Sequence, residues 1–242
     1  MTRKLSIVVV FVFLFGCGHV AWKIKSENLQ KIGKVGIISI VQEKIVLKKV
    51  GITAFNNLER EADVSWGINS FITENITNQL KANSNINFVI LQYPPVEFVN
   101  FYSSTTKYPY FDYDLNNIRD KLVSIAEQNS IDNILLISTS ISSDIIGQTN
   151  QIIHGQGLYL RSLGPYKDVR LYVLAKMQLI DAKTIKPLAQ RLLFTREKVQ
   201  QFVWKERYSD YSDSERTSLE RGIKEVYKIK LSELLKKIGM VN

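Results

Sequence analysis

Val169-Arg170-Leu171-Tyr172-Val173-Leu174-Ala175-Lys176-Met177-Gln178-Leu179-Ile180-Asp181-Ala182-Lys183-Thr184 reads as one long strand running into a turn. Val169, Leu171, Val173, Ala175, Met177 and Leu179 share one parity, while Arg170, Tyr172, Lys176 and Gln178 stand in the other. Successive side chains of a strand point to opposite faces, so this pattern predicts a strand with one buried face. Asp181 to Thr184 has turn chemistry, and Leu188 to Thr195 is expected to return as the hairpin partner.

Upstream, Val35-Gly36-Ile37-Ile38-Ser39-Ile40-Val41 is a β-branched run of the kind that fills buried strands, and the run Ile45 to Ile52 is expected to pair with it. Asp63-Val64-Ser65 offers an N-cap for a helix whose apolar stripe is Ile68, Phe71, Ile72, Ile76 and Leu80. After the turn Asn83-Ser84-Asn85 comes a strand at Phe88 to Leu91. Asp112 or Asp114 then caps a second helix with the stripe Leu115, Ile118, Leu122 and Ile125, ending near Asn129. Ile134 to Ile137 is the next strand. Strand, helix, strand, helix, strand at this spacing argues for layered βαβ construction. Gly155-Gln156-Gly157 reads as a tight bend or bulge before Leu158-Tyr159-Leu160. Downstream, Ser212 and Glu215 form a capping box for a helix with the stripe Leu219, Ile223, Val226, Tyr227, Leu234 and Ile238. The expected fold class is therefore α/β: a layered α/β sandwich with a mixed sheet, βαβ units followed by an antiparallel hairpin, and a C-terminal amphipathic helix.

The first residues carry an address. Arg3-Lys4 precedes an apolar run from Leu5 to Phe15, broken only by Ser6, and the run closes Leu14-Phe15-Gly16-Cys17. A basic start, a short apolar stretch and a small residue before the cut are the parts of a secretory signal. The run is shorter than the roughly 20 residues that span a hydrocarbon core. Leu14-Phe15-Gly16-Cys17 resembles the lipobox of bacterial lipoproteins, with Phe15 departing from the smaller residue usual there. The resemblance implies lipidation of Cys17, cleavage just before it, and an anchor of several acyl chains. Cys17 is the only cysteine, so no internal disulfide competes for it. Plain secretion or an uncleaved stub anchor are the other readings of the same residues. Gly18, in place of Asp, implies passage to the outer membrane, the domain facing the periplasm; inner-membrane retention is the alternative. The expected organisation is a signal peptide at 1–16, a lipidated tether at 17–33, a periplasmic α/β domain at 34–198 with an insert at 93–113, and a C-terminal linker and helix at 199–242 packing on that domain.

With the order of parts and the turn Leu179-Ile180-Asp181-Ala182-Lys183-Thr184 laid out, residues 34–198 resemble the periplasmic α/β domain shared by curli-secretion lipoproteins, lipoprotein activators of penicillin-binding proteins and the amino-terminal domain of TolB. There the strand ends in Asp, one or two residues, Thr and usually Gly. Ile185 stands at the glycine position, so the turn is expected to be made differently here. The resemblance implies a non-catalytic envelope accessory domain and carries over no binding residue.

The formal charge of +9 fits a chain that faces anionic envelope surfaces such as lipid headgroups or wall polymer, although lysines scattered singly also read as a solvated surface. No RRM aromatics, zinc-finger spacing or Arg-rich recognition helix points to nucleic acid. The two histidines, His19 and His154, have no Cys, His or carboxylate at ligand spacing, so no metal site or cofactor is expected. Ser138 to Asp144 lacks a nucleophile elbow and reads as a polar strand continuation. Gly155-Gln156-Gly157 lacks the third glycine of a dinucleotide loop.

Tyr93, Phe98, Phe101, Tyr102, Tyr108, Tyr110, Phe111 and Tyr113 crowd into one Pro- and Ser-rich stretch of a chain with eleven Phe and eleven Tyr. They are either a contact surface for a partner, where such residues are enriched, or a lid on the domain's own core. The sequence thus supports a membrane-anchored, non-catalytic binding or assembly module, with an envelope protein or cell-wall polymer as partner and no nucleic acid. A hydrolase acting on wall polymer or glycan, or a subunit of a secretion pore, are the alternatives.

Overall fold

The computed structural model describes Ile24 and residues 32–103, 105–106, 112–198 and 202–241; Cys17, the signal and most of the tether lie outside the described residues. In chain order the elements are β1 (Val35–Ser39), β2 (Lys44–Val50), β3 (Leu58–Asp63), α1 (Ile68–Asn83), β4 (Phe88–Ile90), β5 (Thr105–Thr106), β6 (Asp112–Tyr113), α2 (Arg119–Asn129), β7 (Asn133–Thr139), β8 (Ile141–Asp144), β9 (Thr149–His154), β10 (Gln156–Leu163), β11 (Tyr166–Asp181), β12 (Lys186–Lys198) and α3 (Asp213–Ile238). The mixed sheet, its βαβ units, the antiparallel hairpin β11–β12 and the C-terminal helix are the expected α/β class.

β11 is the axis of the sheet. β12 runs antiparallel along one edge of it. Along the other edge lie β10, opposite residues 166–173, and β7, opposite residues 175–181. Both meet at Leu174, whose carbonyl accepts from Ser140 N (3.1 Å) and whose N–H donates to the Gly155 carbonyl (2.7 Å). β7 and β10 are thus one line of strand from which the hairpin β8–β9 is extruded. β1 and β2 repeat the arrangement one row out, β1 parallel to β7 and β2 parallel to β10. The expected pairing of β2 with β1 is therefore incorrect: the chain continues straight through Val41 and both halves find non-local partners. β4 adds parallel to β1, and β3 adds antiparallel to β2.

Both faces of the sheet are covered. Leu171, Val173, Ala175, Met177 and Leu179 join one core with the stripes of α1 and α3, as the period-two and helical patterns require. The other parity is buried too, which corrects the expectation of a single buried face. Tyr172 and Leu174 pack with Val46, Tyr159 and Ile153 under the hairpin β8–β9, and Ile180 packs with α2. Tyr172 is placed there by a phenol that donates to the His154 carbonyl at 3.0 Å. Lys176 stays at this face by pairing with Asp112.

Local signals hold unevenly. The capping box is present: Ser212 Oγ accepts from Glu215 N, and Glu215 Oε2 accepts from Ser212 N. α1 instead starts at Gly67, in the left-handed region, with its N–H on Glu43 Oε2. Asp63 ends β3 and caps nothing. Gly157 is forced by proximity, since a Cβ there would fall on the Val46 carbonyl across the β2–β10 pairing. The turn after β11 also differs from expectation. Asp181 Oδ1 accepts from the N–H groups of Lys183 and Thr184 and from the Thr184 hydroxyl, and Ile185 itself takes the left-handed φ of 53°. The backbone conformation that glycine supplies elsewhere is kept, with an isoleucine in it. Ile185 is buried against the α2 side of the sheet, and that burial opposes the strain.

Candidate functional site

Five of the eight insert aromatics are described, and all five face the domain. Phe98 and Phe101 are fully buried with α2 and the sheet, and Tyr93, Tyr102 and Tyr113 pack around them in edge-on contacts. The Tyr102 hydroxyl donates to the Ile40 carbonyl and accepts from Thr139 N at 3.2 Å, bridging the ends of β1 and β7. Burial pushes the Tyr102 phenol above its ordinary pKa and the Tyr113 phenol up to about 12. Tyr108, Tyr110 and Phe111 lie outside the described residues.

Next to the insert, the carboxyl end of β1 opens on a cleft lined by Ser39, Asn69, Thr73 and Tyr93. Such crevices are the usual ligand sites of α/β sheets. Several of its polar groups are bonded within the domain: Ser39 Oγ donates to Asn69 Oδ1, Asn69 Nδ2 to the Val41 carbonyl, and Thr73 Oγ1 to the carbonyls of Asn69 and Ser70. The Ser138–Asp144 stretch is structural as well. Asp144 clamps the β8–β9 turn by accepting from Ile146 N, Gly147 N, Thr149 Oγ1 and the Tyr159 phenol.

A set of arginines lies on the α3 side of β3. Arg60, from the middle of β3, Arg207 and Arg216, from the first turn of α3, line one cleft of about 390 Å³ with Glu61, Ala62, Tyr208 and Ser209; the Glu61 carboxylate itself is held on the other side of the strand by Lys44. The segment that carries Arg207 is tied down locally. Lys205 Nζ reaches Glu215 at 2.7 Å and the Asp210 carbonyl at 3.0 Å, and the Tyr211 phenol accepts from Lys205 N. The same Lys205 contact, with the Ser212 N–H, holds the Glu215 carboxyl down to about 2. Arg216 is set over the Tyr208 ring, 5.3 Å from its centroid, with one Nη on the Ser209 carbonyl and the other 3.5 Å from the fully exposed Asp213. Its Nε is buried without a hydrogen-bond partner. Arg60 and Arg207 are exposed and have no ion-pair partner among the described residues. Three guanidiniums line one concavity, and the two that are free of ion pairs among the described residues, on Arg60 and Arg207, have the planar fork that suits phosphate or carboxylate oxygens. Sequence reading missed these residues because Arg60 and Arg216 come from opposite ends of the chain, and single arginines carry no local signal.

The opposite face of β3 carries a different set. Glu59 and Glu61, two apart and so on one side of the strand, face Lys48, Lys44 and the ring of His154 at the end of β9. The imidazole beside it, with Lys48, holds the Glu59 carboxyl down to about 2 against the effect of burial. His154 thus does have carboxylate neighbours, brought to it by the sheet from far away in sequence.

No family model matches the chain, and no curated protein matches it. Among solved structures the chain is similar to a PelC dodecamer from Paraburkholderia phytofirmans, at 8% identity over 90% of this chain and 93% of that one, with a TM-score of 0.37. It is also similar to the hypothetical protein CT253 from Chlamydia trachomatis (10% identity, 86% and 95% covered, TM-score 0.39). A third similarity is to the lipoprotein GNA1162 from Neisseria meningitidis (12% identity, 79% and 94% covered, TM-score 0.32).

Proposed function

We propose that this chain is an envelope lipoprotein, exported by its first sixteen residues and acylated on Cys17, whose α/β domain is a non-catalytic module that binds an anionic group in the cleft of Arg60, Arg207 and Arg216. The reading rests on three arginines in the lining of one cleft, two of them without an ion-pair partner among the described residues. With Arg3 and Lys4 removed along with the signal, the remaining charge of +7 (30 basic and 23 acidic residues) acts in the same direction at longer range. The ligand class is a phosphate- or carboxylate-bearing component of the envelope.

The tether supports the anchored part of this reading. Ile24 is buried in the larger core, and its N–H donates to the Ile238 carbonyl at the end of α3. Cys17 precedes it by seven residues, at most about 25 Å of chain. The acylated end therefore holds the carboxyl end of α3 close to the bilayer. The arginine cleft lies near the other end of α3, where Arg216 stands about 33 Å along the helix from Ile238.

Two measurements test the reading separately. Cys17→Ser should abolish palmitate labelling and leave unprocessed precursor; labelling that persists refutes the anchor. In calorimetric titration with inorganic pyrophosphate, the Arg60→Gln/Arg207→Gln pair should weaken binding by about a hundredfold or more, since each hydrogen bond to a charged group contributes about 1.5–3 kcal/mol. Binding unchanged by the pair refutes the cleft.

A further inference from the structure

We infer that Glu59, Glu61 and His154 form a divalent-metal site of the zinc type on the face of β3 opposite the arginine cleft. The three side chains each offer one ligand atom, and these atoms lie within 4.8 Å of one another. His154 Nε2 is 3.4 Å from Glu59 Oε1 and 3.5 Å from Glu61 Oε1. Those separations are long for hydrogen bonds, which centre on about 2.9 Å. They do match the edge of a coordination tetrahedron, about 3.3 Å when the bonds are about 2.0–2.1 Å. One imidazole and two carboxylates are an N/O donor set of the kind zinc takes, and three protein ligands leave a fourth position for water.

The lysines around the site do not occupy these atoms. Lys48 Nζ holds Glu59 through Oε2, and Lys44 Nζ holds Glu61 through Oε2 at 2.8 Å, so each carboxylate keeps Oε1 turned toward His154. Contacts of this kind from the outer shell orient metal ligands before the ion arrives. They also place two ammonium groups nearby, which lowers the affinity of the site for a cation. The backbone supports the geometry from both sides. Glu59 and Glu61 are register partners of Lys48 and Val46 in β2, and the carbonyl of His154 is fixed by the Tyr172 phenol. His154 is partly buried, with 17% of its side chain exposed, and the two glutamates form the solvent-facing rim.

The test is a titration of the full chain, purified in detergent, with Co²⁺ as the probe, read by visible absorption and followed by Zn²⁺ displacement. One equivalent should give the intense absorption of tetrahedral Co²⁺, and Zn²⁺ should bleach it. Glu59→Gln and His154→Asn should each weaken Co²⁺ binding at least tenfold, whereas Glu97→Gln, at the distant Lys121 pair, should leave it unchanged. Melting curves by circular dichroism establish that each variant is folded. If His154→Asn does not melt cooperatively, Glu61→Gln, at the exposed rim, carries the same comparison. Absence of the tetrahedral band in the wild type, or a band that survives these substitutions, overturns the site.

Discussion

Ile185 occupies a left-handed backbone conformation (φ 53°) in the turn that joins β11 to β12, and its side chain is 5% exposed. Two terms of similar size oppose each other there. A non-glycine residue in this region costs roughly 1–2 kcal/mol, and more for a β-branched one. Burying an isoleucine side chain returns about 1.5–3 kcal/mol. Ile185→Ala removes the burial while keeping a Cβ in the disfavoured region, so it should destabilise by about 2–4 kcal/mol. Ile185→Gly removes the same burial and also the strain, set against a loss of about 1 kcal/mol from the freedom of glycine in the unfolded chain. The glycine variant should therefore be at least as stable as the alanine variant. At Ile180, within β11, the order should be the usual one, with glycine worse than alanine by about 0.5–1 kcal/mol. Urea unfolding of the four variants measures both differences. If glycine is worse than alanine by the same margin at Ile185 as at Ile180, Ile185 is not strained in the native turn.

Three other outcomes follow from particular contacts. Tyr102→Phe leaves the Ile40 carbonyl and the Thr139 N–H without their shared partner and should cost about 1–3 kcal/mol in thermal unfolding, whereas an aromatic that served only as an external contact would tolerate the change. Gly157→Ala drives a Cβ into the Val46 carbonyl and should destabilise by about 3 kcal/mol or more in denaturant unfolding, with the damage centred on β2 and β10 by hydrogen exchange. The Glu215 carboxyl is held at about 2 in the folded chain, so what it contributes is fully present above about 4.5 and is lost as pH falls toward 2. In Glu215→Gln, stability measured between pH 4.5 and 2 should therefore decline less steeply than in the wild type, and parallel curves would contradict the capping-box assignment.

The elements legible in the sequence are those whose own periodicity carries the information. β11, β12 and the stripes of α1 and α3 are read directly, and Leu219, Ile223, Tyr227 and Ile238 are all buried where their spacing put them. What failed depended on distant partners. β3 escaped notice because Leu58-Glu59-Arg60-Glu61-Ala62-Asp63 lies at a sheet edge, where polar residues suffice and alternation is weak. The second buried face of β11 was hidden because Tyr172 and Lys176 are compatible with solvent until Asp112 and the hairpin β8–β9 are brought over them. β1 and β2 were expected to pair because they are neighbours in sequence, yet each is better satisfied in the long row beside β7 and β10. Both polar constellations flank β3, the strand the sequence did not show. Arg60 points to α3 and Glu59 and Glu61 to His154, so neither set could be assembled before that strand was placed.

Recognition of an anion by the arginine cleft is open to direct observation by arginine side-chain NMR. Nε–Hε resonances of the full chain in detergent would be followed during titration with inorganic pyrophosphate. Saturating shifts shared by Arg60, Arg207 and Arg216 are expected, with small changes at Arg119 and Arg196 on the other side of the sheet. Equal, non-saturating drift of all arginines, or saturation at a set that leaves out Arg60 and Arg207, would contradict it.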